Sequence, residues 1–379
     1  WLSHVPGVGS CCNKDALARA LEQAQADFWP RSWCLPEVPV EEIAAFAFPA
    51  AQRPRATLIV KPSAGTQGKG IEIVRSARAL QIAVDHLDYK GAIVQEYVER
   101  PLLLDGRKWD VRIYALAVPA SDADSDFAVF LACEGLVRVC VDQYEAPCPR
   151  NLHRTLAHLT NYSLSKYSDK YEHCEDPSDG SRGCKRTLTS VLRHLRGVRG
   201  VEAGPMWASL GELARGTVDA MAAPMKAAAF DAQHWESEAF AQLVRRKYGK
   251  CFHILGLDVL LDEDLNPWLL EVNCNPSLSL EEVRPLLGVS SRSEANQLFV
   301  EAKRDRAEDK APARGLRWGR PCRCAKLPRP HVHHQCPIDT AVKLPVVEGA
   351  MSIIQRLSEA DETSVCSATA LAEGTIYVP

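Results

Sequence analysis

The sequence predicts an α/β or α+β fold on three observations. Short β-branched runs begin at Thr57, helical stretches alternate with them, and no internal repeat organises the chain. Residues 1–56 precede this pattern: Pro6-Gly7 marks a turn, 13–28 has helical periodicity, and prolines punctuate 30–54. Strands are expected over 57–60, 71–74 and 92–98, with a glycine loop at 61–70 and a helix at 78–87. Longer strands follow at 110–118 and 127–141 around the polar turn 121–125. The polar stretch 168–183 reads as a mobile loop, and helices are expected over 187–196 and 206–226. A hairpin, 254–261 with 267–273, closes the compact part. Past residue 300 the apolar pattern degrades. Residues 301–330 hold ten Lys or Arg against four Asp or Glu among prolines, so 301–379 is expected to be a basic, disordered tail, either merely solvated or touching an acidic partner.

At 379 residues the chain has room for two or three domains, and 46 % hydrophobic with 25 % charged residues is a globular mix. A formal charge of −3 excludes whole-chain binding to nucleic acid or another polyanion; any basic surface must be local. No apolar run approaches the roughly 18 residues that span a bilayer, so no membrane segment is expected. The chain opens on Trp1, with no basic-then-apolar leader to support secretion, and an incomplete amino-terminal part is expected. Fourteen scattered cysteines read as reduced thiols of an intracellular protein.

Three constellations carry chemistry. In Lys61-Pro-Ser-Ala-Gly65-Thr-Gln67-Gly68-Lys69-Gly70-Ile71, the glycines let backbone N–H groups approach anionic oxygens, and Lys61 and Lys69 add charge. The pattern lacks the Gly-Lys-Ser/Thr of a P-loop and the G-x-G-x-x-G of dinucleotide folds. A strand–loop–strand over phosphates is mechanically closer to the kinase arrangement, although an empty tight hairpin has the same composition. In Lys108-Trp-Asp110-Val-Arg112-Ile-Tyr114, strand alternation puts Lys108, Asp110 and Arg112 on one face, as in a polar cleft wall or an exposed edge strand; Arg138 adds a further cation. In the closing hairpin, a turn near Asp264 and Leu265 sets Asp258 opposite Glu271, with Asn273 on the same face. Facing carboxylates repel unless a cation sits between them, and these hard oxygen donors suit Mg²⁺ rather than zinc; a protonated or exposed pair is the alternative. Cys322, Cys324, His331, His333, His334 and Cys336 are irregularly spaced for zinc. His158 reads as a packed, hydrogen-bonded side chain rather than a general base.

Together these strings resemble the tubulin–tyrosine ligase-like family, ATP-grasp amino-acid ligases, over residues 1 to 285. The most telling are His158-Leu-Thr-Asn161 and Trp268-Leu-Leu-Glu-Val-Asn273, beside Val94-Gln-Glu-Tyr-Val98 and Glu134-Gly-Leu-Val-Arg138. The resemblance implies an ATP-grasp fold with a partial amino-terminal lobe (1–56), a central lobe (57–105), a carboxy-terminal lobe with the magnesium site (106–300) and the tail (301–379). It implies that Lys61, Gln67, Gly68, Lys69, Gly70 and Ile71 hold ATP phosphates. Gln95, Glu96, Tyr97 and Val98 would form the adenine-pairing hinge, and Lys108, Asp110 and Lys14 would add nucleotide contacts. Arg112, Arg138, Thr160 and Asn161 would meet the reacting groups, and Asp258, Glu271 and Asn273 would hold Mg²⁺. Ser181-Arg-Gly-Cys-Lys185 resembles the glutamylating branch, with Arg138, Tyr162, Ser163 and Lys185 lining the pocket for free glutamate.

The implied reaction is polyglutamylation of tubulin carboxy-terminal tails through an acyl phosphate. It needs no enzyme nucleophile, which agrees with the absence of a Ser/His/Asp or Cys/His set. The implied setting is cytoplasmic and cytoskeletal, including the cilium or flagellum axoneme and basal body. A glycylase or tyrosine ligase of the same family, an inactive microtubule-binding relative and a small-peptide ligase are the alternatives.

Overall fold

The computed structural model describes residues 1–49, 56–63, 65, 68–87, 91–120, 126–166, 168–230, 237, 239, 242, 248–285, 297, 320–321, 331–359 and 377–378. The expected turn 121–125 and Gln67 therefore lie outside the described residues, as do Cys322 and Cys324. The fold is mixed α/β, as expected, with three sheets among the described residues.

After α1 (Val8–Cys11), α2 (Lys14–Gln23) buries Leu17, Ala18 and Leu21 at helical spacing. It stops short of the expected residue 28 because Gln25 takes a left-handed conformation, φ 54°. A four-stranded antiparallel sheet then forms in the order β1 (Ser32–Leu35), β4 (Ala92–Glu96), β2 (Leu58–Pro62), β3 (Glu72–Val74). Strand alternation divides its residues. Leu58, Val60 and Val94 join Ile43 of α3 (Val40–Ala47) and Leu80 of α4 (Ala77–Asp85) in one core, leaving Ile59, Lys61 and Gln95 for a cleft.

The larger sheet is built around the 13-residue β6 (Arg107–Pro119), preceded by β5 (Leu103–Leu104). Trp109, Val111, Ile113, Ala115 and Ala117 face a core shared with α2, α7 (Leu188–Arg199) and α8 (Ala203–Phe230). The intervening Lys108 and Asp110 line the cleft, and Tyr114, Leu116 and Val118 lie in a second core farther along the same face. β10 (His253–Leu261) and β11 (Pro267–Asn273) extend one side as the expected hairpin.

The expected strand 127–141 is two strands, β7 (Phe127–Ala132) and β8 (Leu136–Val139), which pair with successive halves of β6. Gly135 lies at the break, where a Cβ would come within 2.8 Å of Val111. After α5 (Thr155–His158) and α6 (Tyr162–Ser165), β9 (Lys185–Thr187) adds to β8. The segment 168–183, expected to be mobile, is tied to the fold by Arg186. That fully buried side chain donates to the Gly183 and Gly180 carbonyls at 2.9 and 2.6 Å, and Thr187 donates to the Pro177 carbonyl at 2.9 Å.

The tail also departs from expectation. β14 (His331–Gln335) pairs with β12 (Glu281–Pro285) and β13 (Arg320–Pro321), and α9 (Pro337–Glu359) packs on the larger sheet. Ile338, Val342, Val346 and Ala350 form its buried stripe; Pro345, inside the helix, masks that period in the sequence. β15 (Tyr377–Val378) pairs with β7. Cys336 is buried at the start of α9, and among the described residues no group of three or more His, Cys, Asp or Glu is arranged to hold a metal ion. Among the described residues no helix is long and apolar enough to cross a membrane.

Candidate active site

The larger sheet lays charge out in two rungs. Glu271 on β11 is the register partner of Asp258 on β10, which pairs with Arg112 on β6; Asp110 on β6 pairs with Arg138 on β8, which pairs with Lys185 on β9. Arg112 forks onto Asp258, with Nε to Oδ1 at 2.7 Å and Nη2 to Oδ2 at 2.9 Å. Arg138 forks onto Asp110 at 2.7 and 2.6 Å and reaches Asp258 Oδ2 at 2.8 Å. Thr160 donates its hydroxyl to Asp110 Oδ2 at 2.5 Å. Burial pushes the Asp258 carboxyl up, but the two guanidiniums outweigh it and hold the group below the usual carboxylate range. Glu271 is pushed the other way, by burial and then by Asp258.

Two lysines sit beside this network without a carboxylate hydrogen-bond partner among the described residues. Lys61 Nζ donates to Gln95 Oε1 at 2.6 Å and to the Leu270 carbonyl at 3.4 Å. Gln95 is itself braced by its Nε2 donating to Ser32 Oγ at 2.9 Å. Lys108 Nζ donates to the Tyr97 hydroxyl at 2.8 Å and lies 4.0 Å from that ring's centroid. Burial lowers both ammoniums to about 8, against the opposing pull of Glu271 on Lys61 and of Cys140 and Asp110 on Lys108. A buried ammonium with only neutral hydrogen-bond partners suits an incoming anion.

Glu271 and Asp258 fit a divalent cation by the same reasoning, since their mutual repulsion is what an added positive charge relieves. Asn273 donates its amide N–H to the Gly256 carbonyl at 3.3 Å, which leaves its oxygen as a third hard donor.

Residues 1–284 match the tubulin-tyrosine ligase family. The chain belongs to this family. It is 35 % identical over 289 residues to human tubulin polyglutamylase TTLL11 and 33 % over 291 residues to tubulin polyglutamylase TTLL7 of Xenopus tropicalis, in each case 74 % of this chain. With human tubulin polyglutamylase TTLL13 it shares 31 % over 320 residues, 82 % of the chain. The matches span 38 %, 29 % and 36 % of those three proteins, so the chain corresponds to roughly a third of their length.

In this member of the tubulin-tyrosine ligase family, one cleft between the two sheets gathers Lys61, Ile71, Gln95, Glu96, Tyr97, Val98, Lys108, Asp110, Arg138, Thr160, Asn161, Asp258 and Glu271. Arg112 stands behind Asp258, and Lys14 donates to the Gly65 carbonyl at 2.6 Å, with Nζ 3.9 Å from Glu271. Gly68, at φ 74°, lays the glycine loop on Asn161; a Cβ there would come 3.1 Å from its Oδ1. Lys69 and Gly70 continue that loop, and neither lines the cleft. Tyr162, Ser163 and Lys185 also fall outside the lining.

The apolar lining, Ile59, Leu159, Leu260 and Leu270, was not among the expected site residues, and His158, expected as a packed, hydrogen-bonded side chain, lines the cleft as well. Ile59 and Leu260 were open to discovery, because they share strand faces with Lys61 and Asp258; Leu270 was not, because a β-bulge leaves it unpaired beside Glu271, so that two successive residues of β11 line the cleft. His158 Nδ1 is 3.1 Å from the Tyr97 hydroxyl, and burial lowers its affinity for a proton.

Proposed function

We propose that this chain carries the catalytic core of an ATP- and Mg²⁺-dependent ligase of the ATP-grasp type, which adds glutamate to glutamate side chains in the acidic carboxy-terminal tails of tubulin. One observation carries the reading: buried lysines with neutral hydrogen-bond partners share a cleft with a facing carboxylate pair. Such a cleft takes a polyanion and a divalent cation together.

In this reading the lobes are 57–105 and 106–300, preceded by an amino-terminal region, 1–56. Ile59, Ile71, Leu260 and Leu270 enclose the base, and the backbone of residues 95–98 pairs with its edge. Lys61, Lys108 and Lys14, with Gln67, Gly68, Lys69 and Gly70, meet the phosphates. Asp258, Glu271 and Asn273 hold Mg²⁺, which when bound supplies charge neutralisation between the phosphates. An oxygen of the acceptor carboxylate attacks the γ-phosphorus, and the bond to the ADP oxygen breaks. The glutamate amine then attacks the acyl carbon, a C–N bond forms, phosphate leaves and the amine loses a proton. Arg112 and Arg138 offset the gathering negative charge, Thr160 and Asn161 orient the reacting phosphate, and Arg138, Tyr162, Ser163 and Lys185 meet the free glutamate. The microtubule cytoskeleton, including axonemes and basal bodies, is the corresponding place of action.

The test is incubation of the full chain with tubulin, ATP, Mg²⁺ and each labelled amino acid in turn. Glutamate label on tubulin tails is expected. Glycine or tyrosine label, or none, overturns the assignment.

A further inference from the structure

Outside the residues matched to the family, α9 buries an acidic side chain against a residue assigned above to the amino-acid pocket. Lys185 Nζ donates to Asp339 Oδ2 at 2.5 Å and lies 4.1 Å from the centroid of the Tyr162 ring. Lys343, one turn along α9, stands 2.8 Å from Asp339 Oδ1 in an ion pair without hydrogen-bond alignment and donates to the Ser279 carbonyl at 2.8 Å. Asp339 is 0 % exposed and each lysine 6 %. Glu282, which also feels Lys185, is already engaged by His173 at 2.9 Å and by Arg284 at 2.6 and 2.9 Å. The Tyr162 hydroxyl accepts from Val283 N at 2.8 Å, so the ring is fixed as well.

Two ammoniums on one carboxylate leave a surplus positive charge next to Arg138, the register partner of Lys185 and a residue of the cleft wall. The Tyr114 hydroxyl, buried without a hydrogen-bond partner among the described residues, lies in the field of Arg112, Asp339 and Arg138 and is a further donor. Helix attachment alone does not account for this arrangement. The apolar stripe of α9 already holds it to the sheet, and a buried ion pair adds little net stability over apolar side chains of similar size. What an ion pair adds is direction: it aims the Lys185 ammonium at one place.

We propose that Asp339 is a positioning residue for an amino-acid substrate bearing a side-chain carboxylate, acting through Lys185 and Tyr162, so that α9 helps to set substrate choice. This rests on the assignment of Lys185 and Tyr162 to the amino-acid pocket.

The experiment uses the full chain as wild type, Asp339→Asn, Asp339→Glu and Lys343→Met. It measures glutamate binding by calorimetry with a non-hydrolysable ATP analogue present, alongside the melting temperature and ligation to tubulin. Asp339→Asn is expected to weaken glutamate binding about tenfold or more while binding of the ATP analogue stays within about twofold, and Asp339→Glu to recover most of the loss. Lys343→Met keeps the Lys185–Asp339 pair but removes the surplus charge, and is expected to weaken glutamate binding in the same direction; it decides the matter if the Asn variant does not fold. Unchanged glutamate binding in both variants, or equal losses for glutamate and the ATP analogue, overturns the inference. Wild type that binds no amino acid overturns it together with the pocket assignment. Wild type that binds glutamate without ligating it overturns the proposed function alone, and the variants still decide the role of Asp339.

Discussion

On the floor of the cleft every guanidinium has a carboxylate: Arg112 forks onto Asp258, and Arg138 is shared between Asp258 and Asp110. Where the floor meets residues 95–97, the hydrogen-bond partners of Lys61 and Lys108 among the described residues are an amide oxygen, a carbonyl and a phenol. Both regions are buried, yet the paired network is already satisfied, whereas the lysines are held in a state that an anion would improve. Charge with a partner mainly positions; charge without one is free to bind.

The comparison breaks most severely at Asp258. Asp258→Asn leaves two buried guanidiniums short of a partner and is expected to cost about 3–5 kcal/mol of stability, read by denaturant titration, with ligation lost as well. Glu271→Gln separates the two regions: ligation is expected to vanish while the melting temperature holds or rises, because the repulsion with Asp258 is removed. Retained activity in that variant would remove Glu271 from the metal set.

Lys61→Met is expected to weaken nucleotide binding about 10- to 150-fold, the worth of a charged hydrogen bond, without lowering stability. The pH response sharpens the same contrast. With Lys61 and Lys108 at about 8 in the fold against an ordinary 10.5, the unfolded chain holds more protons between those values. Stability contributed by these groups is therefore complete above about 10.5 and is lost as pH falls towards 8, while nucleotide affinity falls as pH rises past 8. Parallel trends in melting and nucleotide titrations would contradict this. The smallest effect is expected at Gly68→Ala, where the left-handed backbone and the contact with Asn161 cost about 1 kcal/mol, read as a roughly fivefold rise in KM for ATP.

Local pattern made much of this visible in advance. Alternation along β6 separates Asp110 and Arg112 from the core face, and the hairpin turn places Asp258 opposite Glu271, the register observed. The rest depended on partners far along the chain. Nothing near Arg138 indicates that it bridges Asp110 and Asp258, nothing in 168–183 shows that Arg186 secures it, and Pro345 hides the stripe of α9.

By itself the sequence determined which residues share a strand face and which loop must approach an anion, because backbone periodicity and glycine's left-handed freedom act over a few residues. Tertiary structure alone decided which charges are neutralised and which are left over. That outcome is set by side chains brought to within 3 Å from distant strands, and by the water excluded when they meet.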